Sequence, residues 1–346
     1  MDQNLSAAPI AIDTMGGDLG PAEMIEGVAL AIHKLQPDVR FLLFGDEPTL
    51  EPLLTKAKLA NNARLSIQHT TQVIGMDEKP IESIKKKRDS SMVRAIESVN
   101  EKRAKAVLSC GNTGSLMACS TLKLRPLEGL ERPSIATIIP TPEQHFVLLD
   151  AGANPEFSPI NFVHNAILGT YYAKVVLNIE KPQVGLLSIG TEEGKGTELI
   201  HRAHEMLKKI DDLIDYNGLI EGFQVFTNHV DVILCDGFVG NIVLKVSESI
   251  AIRLKEFIKE EIVKTPLRKV GAFLSRGAFK SIKNRLNPDC YGGAPLLGLA
   301  GNVMKAHGSS SRNAIMHAIR ITLKIADQNY DAKMIQLIKE ANLRIN

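Results

Sequence analysis

Apolar and polar positions recur along the chain in one order: a short apolar run, a glycine-rich polar turn, then apolar residues at helical spacing. Ile10–Asp13 is the first run, and Gly16-Gly17-Asp18 follows it. Pro21 suits a first helical position, where its missing N–H costs nothing. Ile25, Val28, Ala29 and Ile32 then fall at i, i+3, i+4 and i+7, which predicts a helix with one buried face. Val39–Phe44 and Leu65–Ile67 predict two further strands, with a helix between them around Pro52–Ala60. The basic run Lys85–Arg88 precedes a helix that Asp89 or Ser90 can cap.

The unit returns at Ala106–Ser109, before Gly111-Asn112-Thr113-Gly114 and a helix to about Leu124. It returns again at Phe146–Asp150, Val184–Ile189 and Val232–Asp236, each ahead of another glycine turn. Ile242–Lys264 predicts one long helix, which Pro266 ends. Strands alternating with helices imply βαβ units. The fold class is α/β, a mainly parallel sheet flanked by helices.

Composition narrows the functions open to such a fold. A length of 346 residues allows two or three domain-sized units, and no internal repeat is visible. Lysine and arginine total 41 against 39 acidic residues, and aromatics are 5% with no tryptophan, so no nucleic-acid partner is expected. The longest apolar runs, such as FVLL and VGLL, fall far short of the ~20 residues of a membrane span. The N-terminus has neither the basic start nor the apolar stretch of a secretory signal. Cys110, Cys119, Cys235 and Cys290 form no CxxC pair, which argues against zinc and against a disulfide framework and favours a reducing cytosol.

Five predicted strands end at Asp13, Ser109, Asp150, Gly190 and Asp236, each before a glycine turn. Ligands of open α/β sheets bind beyond the carboxyl ends of strands, so these turns suggest an anion site. Ser109-Cys110-Gly111-Asn112-Thr113-Gly114 is the best phosphate cradle, because small residues expose successive N–H groups at a helix start. Gly190-Thr191-Glu192-Glu193-Gly194-Lys195-Gly196-Thr197 fails as a Walker loop: its glycines are too close, and Gly196 replaces the required Ser or Thr. Lys195 is either an exposed lysine or a clamp for charge in the site. The strand-end aspartates read as acceptors of backbone N–H groups rather than metal ligands. Cys110 reads as a structural thiol. His307 is a supporting histidine or a general acid/base.

In order along the chain stand IAIDTMGGDLGP, KKKRDSSM, LSCGNTGSLMA, LLDAGAN, VGLLSIGTEEGKG, VILCDGFVGNIVLK and YGGAPLLGLAGNVMKAHGSS. This series, from Ile10 to Ser310, resembles the bacterial phosphate acyltransferase (PlsX) family, the acyl-acyl-carrier-protein:phosphate transacylases. The resemblance implies one unit over residues 1–346 with two α/β subdomains, a fold similar to that of isocitrate/isopropylmalate dehydrogenases and phosphate acetyltransferases, a homodimer, and no metal or organic cofactor. It implies transfer of a long acyl chain from acyl-carrier protein to orthophosphate, giving an acyl-phosphate for a membrane glycerol-3-phosphate acyltransferase. One loop departs from the family pattern, where Phe223-Gln224 replaces an expected arginine–aspartate pair.

For that chemistry Lys195, Asn112 and Thr113 are the candidate catalytic residues. Asp13, Gly17, Ser109, Gly111, Gly114, Asn154, Gly196, Asp236, Asn241 and His307 are candidates to line or orient the phosphate. Acyl-coenzyme A as donor, an NAD(P)-dependent dehydrogenase on the same fold, and a non-catalytic scaffold remain open. Lys85–Arg88 is either a dock for the acidic carrier protein or a solvated loop. From Lys264 to Arg285 the chain has seven basic residues and no acidic one, interleaved with Leu267, Val270, Phe273, Leu274, Phe279 and Ile282. This basic amphipathic hairpin predicts peripheral contact with an anionic membrane surface. The alternative is a helical hairpin buried in a dimer interface.

Overall fold

The computed structural model describes residues 8–36, 38–141, 144–192, 194–227, 230–285, 292–327 and 330–345. The strands are β1 (Ile10–Asp13), β2 (Phe41–Gly45), β3 (Leu65–His69), β4 (Ala106–Ser109), β5 (Ser134–Pro140), β6 (His145–Leu149), β7 (Gln183–Ser188), β8 (Asp215–Glu221), β9 (Val232–Leu234), β10 (Ala294–Leu297) and β11 (Asn302–Lys305). They form one sheet in the order β3-β2-β1-β4-β11-β10-β5-β6-β9-β7-β8. Strands β3, β2, β1, β4 and β11 run parallel, as do β6, β9, β7 and β8. Between these wings β10 and β5 pair antiparallel, so the two wings run in opposite directions.

The helices needed below are α1 (Gly20–Lys34), α2 (Glu47–Lys56), α3 (Pro80–Lys86), α4 (Ser91–Asn100), α5 (Thr113–Leu124), α6 (Pro159–Leu177), α7 (Glu198–Lys208), α8 (Gly237–Val263), α9 (Pro266–Leu274), α10 (Arg276–Arg285) and α11 (Arg312–Ala326). Every residue of β1 is buried, as a strand covered on both faces requires. Ile10 and Ile12 join the core beneath α1 and α11, while Ala11, Val107 and Val303 pack beneath α4 and α5.

Several boundaries differ from the pattern-based expectation. The helix expected around Pro52–Ala60 is α2, which begins earlier because Asp46 accepts from the Thr49 amide at 3.2 Å. Ser90 caps α4, whereas Asp89 accepts from the amide and hydroxyl of Thr71. The long helix starts at Gly237, capped by Asp236. After Pro266 the chain forms two short helices, meeting at Ser275. Strands β5, β8, β10 and β11 were not expected. β10 and β11 have four residues each and are separated by Gly298 and Gly301, too short to show alternation.

The opposed wings also change where the five strand ends lie. Asp13 and Ser109 end strands of one wing; Asp150, Gly190 and Asp236 follow strands of the other. They do not line a single edge. The wings are joined by packing: Ala151 and, partly buried, Ala153 and Leu244 share a core cluster with Met92, Leu116 and Cys119. The turn after β6 and the start of α8 are thereby set against α4 and α5.

Candidate active site

Asp13, Ser109 and Lys305 are direct neighbours in register on β1, β4 and β11. The Ser109 hydroxyl donates to Asp13 Oδ2 at 2.6 Å and accepts from the Gly111 amide at 3.0 Å. The Gly16 amide donates to Asp13 Oδ1 at 3.2 Å. Burial pushes the Asp13 carboxyl above the usual range, and hydrogen bonds from Ser109, Ser91, Gly16 and Met15 offset part of that. Asp13 thus ties two turns together. Gly17 packs against Cys110 and Gly308 in a recess on the α1 face, which Glu23 also lines.

Asn112 caps α5 by accepting from the Ser115 amide at 2.9 Å, and its side-chain NH2 donates to the Met76 carbonyl at 2.5 Å. Its amide group is therefore engaged in holding the head of α5 to the 76–78 loop. Thr113 and Gly114 are exposed in the first turn of α5, with no hydrogen-bond partner for their amides among the described residues. That turn retains the free N–H groups of an anion cradle.

Lys305 was not singled out from the sequence. It is 8% exposed, and its ammonium donates to the Cys110 carbonyl at 3.3 Å and to the Ala306 carbonyl. Burial pulls its pKa down; Asp13 and Asp18 act to raise it, and Lys245 lowers it further. Burial pushes the Cys110 thiol up to about 12, so it is neutral and supplies no counter-charge. This agrees with the structural reading of that cysteine.

In the opposite wing Asp150 accepts from the amides of Ile135, Gly152, Ala153 and Asn154 and from the Asn154 side chain, at 2.8–3.2 Å. Burial raises its pKa, and these donors act against that rise. The Asn154 side chain also donates to the Pro133 carbonyl at 2.8 Å, so it shapes the turn. Asp236 accepts from the Val239 amide at 2.8 Å as the cap of α8. Asn241 is exposed in the first turns of α8, beside Gly152. One turn later Lys245 pairs with Glu248 at 3.0 Å.

Lys195 and Gly196 follow β7; Lys195 is exposed, and no hydrogen bond or ion pair among the described residues joins it to the Gly111–Gly114 turn. His307 is exposed, its Nδ1 accepting from the Ser309 amide at 3.2 Å. No group of three or more His, Cys, Asp or Glu among the described residues is placed to hold a metal. In the basic run Lys86 pairs with Glu82 at 3.5 Å and Lys87 with Glu78 at 2.5 Å, so part of its charge is neutralised locally. Cys290, Tyr291 and the side chains of Lys283 and Arg285 lie outside the described residues. Leu267, Val270, Phe273 and Leu274 are more than half exposed and Phe279 is 37% exposed. Among the described residues no helix is long and apolar enough to cross a membrane.

The sequence matches the fatty acid synthesis protein family over residues 8–333. It is 43% identical over 323 residues to the phosphate acyltransferase of Heliobacterium modesticaldum, covering 93% of this chain and 95% of that protein. It is 38% identical to the phosphate acyltransferase of Clostridioides difficile, covering 96% and 97%. The fold is similar to a Streptococcus pyogenes phosphotransacetylase, with TM-score 0.62, 17% identity and coverage of 92% and 94%. A branched-chain phosphotransacylase from Enterococcus faecalis gives TM-score 0.56 at 13% identity, covering 92% and 99%.

Proposed function

We propose that this chain, which belongs to the fatty acid synthesis protein family with the curated phosphate acyltransferases, moves a fatty acyl group from acyl-carrier protein to orthophosphate. It is an acyltransferase with phosphate as acceptor. The observation that best supports the site is the head of α5, where Thr113 and Gly114 are exposed with free amides beside the buried Asp13–Ser109 pair.

In the reaction a phosphate oxygen attacks the thioester carbon, a C–O bond forms, the C–S bond breaks, and the carrier leaves as a thiolate. Phosphate is substantially dianionic near neutral pH and a thiolate is a competent leaving group, so little proton transfer is required. The site's work is to position an anion and stabilise the tetrahedral oxyanion. The Gly111–Gly114 turn takes the first task and Lys195 the second. The acyl-phosphate feeds phospholipid synthesis through a membrane glycerol-3-phosphate acyltransferase. The enzyme works as a cytoplasmic homodimer, peripherally bound to anionic membrane, with the basic run Lys85–Arg88 steering the acidic carrier protein.

Incubation with palmitoyl-acyl-carrier protein and phosphate, with hydroxylamine as trap, tests the reading. Acyl-hydroxamate formed only when phosphate is present is the expected result. Product from palmitoyl-coenzyme A but not from the carrier protein would replace the donor. An NAD(P)-linked absorbance change without hydroxamate would overturn the reaction class.

A further inference from the structure

A lysine with nine-tenths of its surface buried has to be compensated, because an unpaired ammonium in protein costs several kcal/mol to desolvate. Lys305 meets that demand only in part. Two of its three N–H groups go to main-chain carbonyls, of Cys110 and Ala306, and neither carries a charge. No carboxylate among the described residues lies within ion-pair distance of it. The third N–H has no protein partner among those residues. Asp13, the nearest acidic side chain in the sheet register, already has Ser109 and Gly16 as donors.

The position of this cation gives its deficit a direction. Lys305 lies one strand from Ser109, on the face of the sheet covered by α5 and the start of α8. Its bond to the Cys110 carbonyl fixes it two residues before the cap of α5, whose first-turn amides are free. Lys245 of α8 acts on it electrostatically, its own charge already paired with Glu248 at 3.0 Å. A buried lysine beside a free helix start suits an anion.

We infer that Lys305 binds the acceptor phosphate, its free N–H completing the set of donors begun by Thr113 and Gly114. This assignment rests on the phosphate-acyltransferase reading above and adds to it the buried cation that holds the acceptor. Two consequences follow from the geometry. The unliganded protein carries a buried ammonium with no direct ion pair among the described residues, which phosphate supplies, so phosphate stabilises the fold. Removing the charge abolishes that stabilisation without harming the unliganded fold.

The experiment compares wild type, Lys305→Met and Lys305→Arg. It reads thermal midpoints against inorganic phosphate, and steady-state KM for phosphate and for the acyl donor. Wild type is expected to gain midpoint with phosphate. Lys305→Met keeps or exceeds the wild-type midpoint without phosphate, loses the phosphate-dependent gain, and shows a phosphate KM raised about 10- to 100-fold with the donor KM unchanged, the loss expected for a hydrogen bond to a charged group. Lys305→Arg retains a charge and recovers part of the phosphate affinity. An unchanged phosphate KM in Lys305→Met would overturn the assignment. So would a Lys305→Met chain that unfolds without phosphate, since Lys305 would then be a structural cross-link. Wild type that forms no acyl-hydroxamate and gains no stability from phosphate removes the underlying reading instead.

Discussion

Lys195 and Lys305 are both cations near glycine turns, yet their surroundings give them different work. Lys305 is fixed by two carbonyls just past the ends of β4 and β11, whereas Lys195 is exposed on the loop after β7. An exposed lysine on a turn with positive-φ glycines at 194 and 196 is free to swing toward developing charge. Lys195→Ala is expected to lower turnover about 100-fold or more, the scale of removing one oxyanion donor, with the circular dichroism spectrum and thermal midpoint unchanged. Near-normal turnover of the purified variant removes Lys195 from the reaction. The strand-end aspartates were readable from sequence as acceptors of turn amides, because a short carboxylate before a glycine turn has those donors within reach. Asn112 and Asn154 were less readable. Their types suit phosphate, but the fold engages both side chains with main-chain groups distant in sequence. Lys305 is not legible in the sequence because β11 is not, and a lysine beside Ala306-His307-Gly308 looks like part of a solvent loop.

At the scale of elements, the start of α8 depends on how closely it approaches the turn after β6. A Cβ on Gly240 would lie 1.9 Å from the Asp150 carbonyl oxygen and 2.8 Å from Cys235 Sγ. Backbone cannot yield at that distance, so Gly240→Ala moves the whole first turn of α8, with Asn241 and Lys245 on it. Overpacking of this kind costs about 3 kcal/mol or more, and a fall in the urea midpoint with little loss of secondary structure is the expected measurement. An unchanged midpoint would show that α8 docks elsewhere. The helices α9 and α10 pose the opposite case, since none of their described side chains is buried. Arg276 lies over the Phe273 ring at 4.9 Å, and Leu267 and Leu274 are the most exposed apolar residues of the segment, at 81% and 77%. Two short amphipathic helices with basic flanks suit the headgroup boundary of an anionic bilayer. Phe273→Asp with Leu274→Asp is expected to abolish flotation with anionic liposomes while leaving solution activity in place. Binding that survives both changes, or that ignores salt and lipid charge, sinks the membrane assignment. Repeated strand–turn–helix units made most of the parallel wings legible. The antiparallel β10 and β5 were not, and with them went the opposed direction of the wings, which no local pattern records.

At the scale of the whole molecule, the sheet and the helices packed on it account for nearly every buried apolar residue, and α8, like the described residues of α9 and α10, contributes no buried apolar side chain. Only Gly237 and Gly240 are buried among its 27 residues. Ile242, Val246, Ile250, Leu254 and Phe257 recur at intervals of three or four, each between 47% and 62% exposed. Such a stripe marks one face of a helix that normally faces a core. Burying a large apolar side chain contributes about 1.5–3 kcal/mol, so five of them in water are a standing incentive to find cover. A bilayer does not suit this helix as it suits α9 and α10, because Glu256, Glu260 and Glu261 lie on it and would meet anionic headgroups. A second copy suits it better. The stripe on one protomer can meet the same stripe on its partner about a two-fold axis, which leaves the charged faces in water and both α9–α10 tips free for lipid. Sedimentation equilibrium is expected to return a dimer for the wild-type chain. Ile250→Asp with Phe257→Asp places four carboxylates in that interface per dimer and should give a folded monomer with unchanged helix content. A dimer that persists through both substitutions would assign the stripe to another partner and leave the proposed homodimer without its interface.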